Sequence, residues 1–171
     1  MFEIDKIVIY GTNGACRIAD IRNETFGDEE KLYYVLNPVS DADSTIYVPV
    51  NNPKSVSKMK AILTKEEVFN LIHSMPQEPI IEEMNSKVRK EIFTQIIKDG
   101  DRKDLIKLIK TVYEKKKERE KAGKKVWASD ESALKKAERI LYEEFAVVLN
   151  LKYDEIMPLI RSELRDRMPV G

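Results

Sequence analysis

The sequence is poor in the side chains that carry out chemistry. It holds one histidine, His73, and one cysteine, Cys16. A single cysteine excludes an internal disulfide and fits a reducing compartment. Structural zinc takes about four Cys or His ligands at recognisable spacing, which this chain lacks. A Cys–His nucleophile would need a third, orienting group, and none is suggested. A structural cysteine in a strand and a histidine at a helix end are the better reading. Glycine is also scarce. The nearest approach to a phosphate loop, Gly123-Lys124-Lys125, has Glu118 where the earlier glycine belongs and no Ser or Thr after the lysine. Paired carboxylates such as Glu82-Glu83 and Glu143-Glu144 fall in helical stretches, where adjacent side chains diverge. No window approaches the roughly 18 apolar residues of a membrane helix. The start, MFEIDKIVIYG, has an acidic residue where a secretion signal wants a basic one. These absences argue against an enzyme, a metal, a cofactor, a small-molecule substrate and a membrane, and make the cytoplasm the default.

Charge is abundant but balanced, 30 Lys and Arg against 30 Asp and Glu in 171 residues. Its distribution is uneven. Residues 1–60 carry seven basic and nine acidic side chains, a net of −2, whereas residues 84–140 carry 18 and ten, a net of +8. The second half is therefore suited to a polyanion. The plain alternative is a solvated, Lys-rich helical surface.

The hydrophobic period divides the chain at the same place. Ile7–Tyr10, Ala15–Ile21, Leu32–Leu36 and Thr45–Val50 read as short strands, the last alternating Ile46, Val48 and Val50 against Thr45 and Tyr47. Gly11–Gly14 is a turn, and Arg22–Lys31 reads as a polar connection. Pro49 points to a sheet edge or a strand end, and Ser55–Met59 is placed to close the sheet. The pattern predicts a small Tudor- or SH3-like β-barrel over residues 1–60. An all-α domain over 61–171 follows, for an α+β protein.

Thr64 and Glu67 form a capping box ahead of Val68, Leu71 and Ile72. Further helices are predicted from about Ile80 to Lys98, after Asp101, after Ser129 as N-cap and after Asp154, with Pro158 in the first turn of the last. Leu105, Leu108, Ile109 and Val112 form one apolar stripe, and Leu134, Ala137, Leu141, Phe145 and Val148 another. Around them lie lysines and arginines able to neutralise phosphates without reading bases.

In order and spacing, several stretches resemble the CarD family of RNA-polymerase-interacting regulators. They are Phe2 to Gly14, Tyr33-Tyr34-Val35-Leu36, Ile46-Tyr47-Val48-Pro49-Val50-Asn51-Asn52, Gly100-Asp101 and Leu134 to Leu141 with Glu144. The resemblance implies a barrel that adds to the RNA polymerase β subunit through Tyr34, Ile46, Tyr47, Val48 and Pro49. It also implies a helical domain on promoter DNA, contacting phosphates and the minor groove and binding weakly alone. The candidate DNA contacts are Met84, Lys87, Arg89, Lys90, Lys110, Lys124, Lys125, Lys136 and Arg139. Two departures stand out. Where the family has a minor-groove tryptophan this chain has Met84-Asn85-Ser86, and where members can carry an arginine on the Val-Pro strand it has Tyr47. Met84 and the one tryptophan, Trp127, compete for the wedge, unless it is lost; Trp127 is expected to pack back on the helical core. A protein-only adaptor that never touches DNA is the alternative.

Overall fold

The computed structural model describes residues 1–165. The chain divides into two compact units, one of Met1–Ile62 and one beginning at Leu63.

The first unit is a five-stranded antiparallel sheet in the order β4-β3-β2-β1-β5. Its strands are β1 (Ile7–Tyr10), β2 (Ala15–Phe26), β3 (Glu29–Pro38), β4 (Ile46–Pro49) and β5 (Met59–Ala61). A closed barrel was expected; the sheet is open, with β4 and β5 as its two edges. The polar stretch Arg22–Lys31 is not a loop. Phe26 pairs with Glu29, so β2 and β3 run on as a ribbon to a two-residue turn at Gly27-Asp28. Gly27 takes φ +70 there, the positive φ that tight hairpin turns require at their first central position. Ser55 to Met59 is also not a strand throughout. Pro53–Val56 is one turn of helix, α1, capped by Asn52, and β5 begins only at Met59.

The run Leu32–Leu36 lacks polar alternation because β3 is covered on both faces. Tyr34 and Leu36 point into the core with Val8, Cys16, Ile18, Val48 and Met59, while Tyr33 and Val35, opposite them, are buried as well.

The second unit contains α2 (Lys65–Ser74), α3 (Ser86–Asp99), α4 (Arg102–Lys121), α5 (Ala128–Leu149) and α6 (Tyr153–Arg165). The capping box at Thr64 and Glu67 is present. Gly100 ends α3 at φ 68 and Asp101 caps α4. Both apolar stripes meet in one core, with Val68, Ile72, Phe93, Ile156 and Ile160.

Three helix boundaries differ from expectation. α3 begins at Ser86, capped by Asn85, not near Ile80. The backbone before it is diverted into tertiary bonds, the Ile81 N–H donating to Thr111 Oγ1 at 2.8 Å. α5 starts at Ala128 with Trp127 in the cap position and no side-chain cap. Ser129 is therefore inside the helix, and the Asp130 carboxylate turns to a buried arginine instead of the helix end. Pro158 lies in the second turn of α6, which begins at Tyr153, so one helical hydrogen bond is missing there.

The polar residue that ties this core together is Glu144 on α5. It is 2% exposed, takes Arg102 Nε and Nη2 at 2.7 and 2.6 Å, and accepts the Leu63 N–H at 3.0 Å. The partner, Arg102, is 23% exposed and can regain water, so the loss is that of hydrogen bonds to a charged group. Glu144→Ala should lower the unfolding free energy by about 1–3 kcal/mol, read from urea denaturation curves. A midpoint equal to the parent's would contradict this.

Candidate partner-binding edge and nucleic-acid face

The outer edge of β4 is the first candidate. Its register, Tyr33 to Pro49, Tyr34 to Val48 and Val35 to Tyr47, together with the Val50 N–H bonding to the Leu32 carbonyl, sets which groups face β3. Antiparallel alternation makes Val48 and Val50 hydrogen-bonded positions and turns the Tyr47 N–H and C=O outward. Pro49 occupies an outward position too, where its missing N–H costs the sheet nothing. An incoming strand would find the main chain of Tyr47.

Side chains divide by the same alternation. Val48 is fully buried and Ile46 packs on the same core, so neither presents its side chain to a partner. Tyr34 is 2% exposed and its hydroxyl accepts the Phe2 N–H at 3.2 Å; it is a core residue, contrary to its expected place in the contact. Tyr47 lies on the opposite face. Its ring meets Phe26 and Tyr33 edge-on at centroid distances of 5.1 and 6.1 Å, and Phe26 also meets Tyr33 at 5.3 Å. Phe26 is half exposed, so this aromatic cluster opens to solvent beside the β4 edge. Arg22 lies on the same ribbon. Its guanidinium donates to the Glu24 and Asp20 carboxylates at 2.6 and 3.2 Å, and these bonds, Glu24 first, raise its pKa, with a further bond to Tyr47. Sequence reading misses Phe26 and Arg22 because the segment is polar apart from Phe26; the one signal is the Gly27-Asp28 pair, a recognised hairpin turn.

The second candidate is the basic side of the helical unit. A groove of about 300 Å³ runs between α3 and α5, lined by Lys90, Phe93, Thr94, Ser129, Ser132, Ala133 and Lys136, among others. Lys90 and Lys136 stand on opposite walls. They and Lys87 are exposed, with no ion pair to a described residue. Arg139 is exposed one turn further along α5, and Lys124 and Lys125 lie in the connector before it. Ser129 and Ser132 add hydroxyl donors that charge counting alone could not have found, while the Thr94 hydroxyl donates to the Lys90 carbonyl at 2.8 Å. The Met84 side chain, just before α3, is 83% exposed.

Two expected phosphate contacts are otherwise engaged. Arg89 is fully buried, donating from Nε and Nη2 to Asp130 at 3.1 and 2.8 Å. Its charge is spent inside the protein. The Lys110 ammonium donates to the carbonyls of Met75, Pro76 and Glu78, completing the C-terminal end of α2 and the turn after it.

Trp127 also differs from expectation. It is 40% exposed, not sealed in the core, and two guanidinium groups lie against its ring, Arg119 at 3.8 Å and Arg89 at 4.9 Å from the centroid.

His73, on α2, bonds Glu163 of α6 at 2.8 Å, while Cys16 is buried in the sheet unit. Burial, then Glu138, pushes the Tyr113 hydroxyl up well beyond its usual range. No group of three or more His, Cys, Asp or Glu among the described residues could hold a metal ion, and no described helix is long and apolar enough to cross a membrane.

Residues 2–60 match the family model of the CarD-like/TRCF RID domain. No curated protein matches the chain. The match covers the sheet unit and leaves the helical unit to be read from its own geometry.

A half-exposed ring gives up less on truncation than a buried one. Trp127→Ala should cost about 1–2 kcal/mol, below the ~3–5 of a fully buried aromatic. Thermal denaturation checks this, and a loss at the upper end would mean that the ring is sealed in solution.

Proposed function

We propose that this protein, whose N-terminal module is a CarD-like/TRCF RID domain, is a bacterial transcription regulator. Through that module it binds the RNA polymerase β subunit, and through its helical unit promoter DNA, tuning the stability of the open complex. The observation that carries the reading is the unpaired outer edge of β4 in a module of this family. Strand addition there supplies main-chain affinity through Tyr47, and its aromatic neighbours supply the side-chain anchor.

On the helical unit, Lys87, Lys90, Lys136 and Arg139, with Lys124 and Lys125, neutralise phosphates. Such binding is independent of sequence and falls steeply with salt. It is weak for free DNA, since the polymerase supplies the effective concentration. Met84 is the group that enters the minor groove. Its exposure supports this, and methionine is among the apolar side chains that proteins insert between base steps. The placement of Lys90 and Lys136 on opposite walls of one groove favours this reading over a protein-only adaptor. In this reading the protein acts in the cytoplasm and without catalysis, a role supported by the separation of its one histidine, in the helical unit, from its one cysteine, buried in the sheet unit.

Tyr47→Glu should weaken binding to the isolated β subunit by about 2 kcal/mol, roughly 30-fold in Kd, with the fold intact. Unchanged affinity would remove the β4 edge from the contact. Lys90→Ala or Lys136→Ala should weaken binding to all duplexes alike and reduce the log–log salt slope by about one unit. Loss confined to one DNA sequence, in a salt titration over several duplexes, would mean that these lysines read bases.

A further inference from the structure

A buried ion pair is a poor way to stabilise a core. Similar-sized apolar residues often do as well, because desolvation offsets the attraction. Arg89 and Asp130, 0% and 1% exposed, therefore call for another explanation, and it lies in the third arm of the guanidinium. While Nε and Nη2 hold Asp130 on α5, Nη1 donates to the carbonyls of Glu83 and Met84 at 3.3 and 3.4 Å. The guanidinium also lies against Trp127. One buried cation thus contacts the connector before α3, the first turn of α5 and the residue in its cap position. Asn85, between Met84 and α3, caps the helix by accepting from the Lys87 and Val88 N–H groups.

We infer that Arg89 and Asp130 are positioning residues that set Met84 and Trp127, both outward-facing, at one fixed relative placement on the basic face. The consequence for DNA rests on the reading of that face given above; the placement itself does not. No apolar pair could do the same work. Leucine or methionine can fill the volume, but neither can donate to two connector carbonyls and at the same time lie as a planar cation against an indole.

The test uses the full chain and two variants. Arg89→Lys keeps the charge beside Asp130 and loses the planar fork. Arg89→Met with Asp130→Leu removes both charges and keeps the core filled. Trp127 is the sole tryptophan, so its fluorescence reports one site. Amide exchange at Lys87 and Val88, whose N–H groups depend on Asn85, is compared with that at Asp104, capped by Asp101 in the same way. In both variants, exchange at Lys87 and Val88 should quicken about tenfold relative to Asp104. Trp127 emission should move to longer wavelength, and duplex binding should weaken although every surface lysine is intact. The double variant should melt near the parent and still show all three effects. Equal acceleration at Asp104, or recovery of exchange and emission in the double variant, would overturn the inference and leave the pair a plain core contact. Local loosening with duplex binding unchanged would uphold the placement and overturn the DNA reading of the face.

Discussion

The bidentate contact between Arg89 and Asp130 is the point from which the outward face of the helical unit is built. Without it, the carbonyls of Glu83 and Met84 lose their charged donor, Asp130 is left a buried carboxylate, and Trp127 keeps only Arg119. Isolated buried charges are expensive, so the fold cannot move one partner without the other. The connector before α3 is pinned again from α4, where Lys110 holds the carbonyls of Met75, Pro76 and Glu78 and Thr111 holds the Ile81 N–H. Two basic residues that counted as surface charge are thus the internal fastenings of a segment whose only regular structure is one 3-10 turn at Met75–Gln77. Lys90 and Lys136, left outside, then stand on the two walls of the α3–α5 groove.

The sheet unit meets a different constraint, since an open sheet must leave two edges. An exposed edge invites pairing with other chains, and natural proteins restrain it. Here β4 is four residues long, and Pro49 removes one of its outward donors. What remains at that edge is the main chain of Tyr47, with an aromatic cluster on one face. A short edge with one tyrosine at its centre suits a specific partner better than promiscuous strand pairing.

Much of the architecture was legible along the chain. The change of period near residue 60 marked where sheet gives way to helices. Thr64 with Glu67, Gly100 and Asp101 marked helix ends by local hydrogen bonding that needs no distant partner. The ribbon at Arg22–Lys31 is not legible in the pattern, because Phe26 is its one apolar side chain and its order comes from pairing across a turn. The start of α3 was misread because the residues before Asn85 have apolar character at helical spacing, yet their backbone groups bond to α4 and to Arg89.

Composition and pattern by themselves determined the two modules, the scarcity of nucleophiles and ligands, the basic character of residues 84–140 and the edge position of Pro49. These are properties of short stretches, set by dihedral preference, hydrophobic period and summed charge. Only the tertiary structure decided which cations are available. Arg89 and Lys87 are two residues apart on one helix, and one is fully buried while the other is exposed. Positions two apart on a helix point in different directions, and the helix's orientation against α5 turns one of them inward. That orientation is fixed by long-range packing around Phe93, Leu134 and Phe145, which no local window contains.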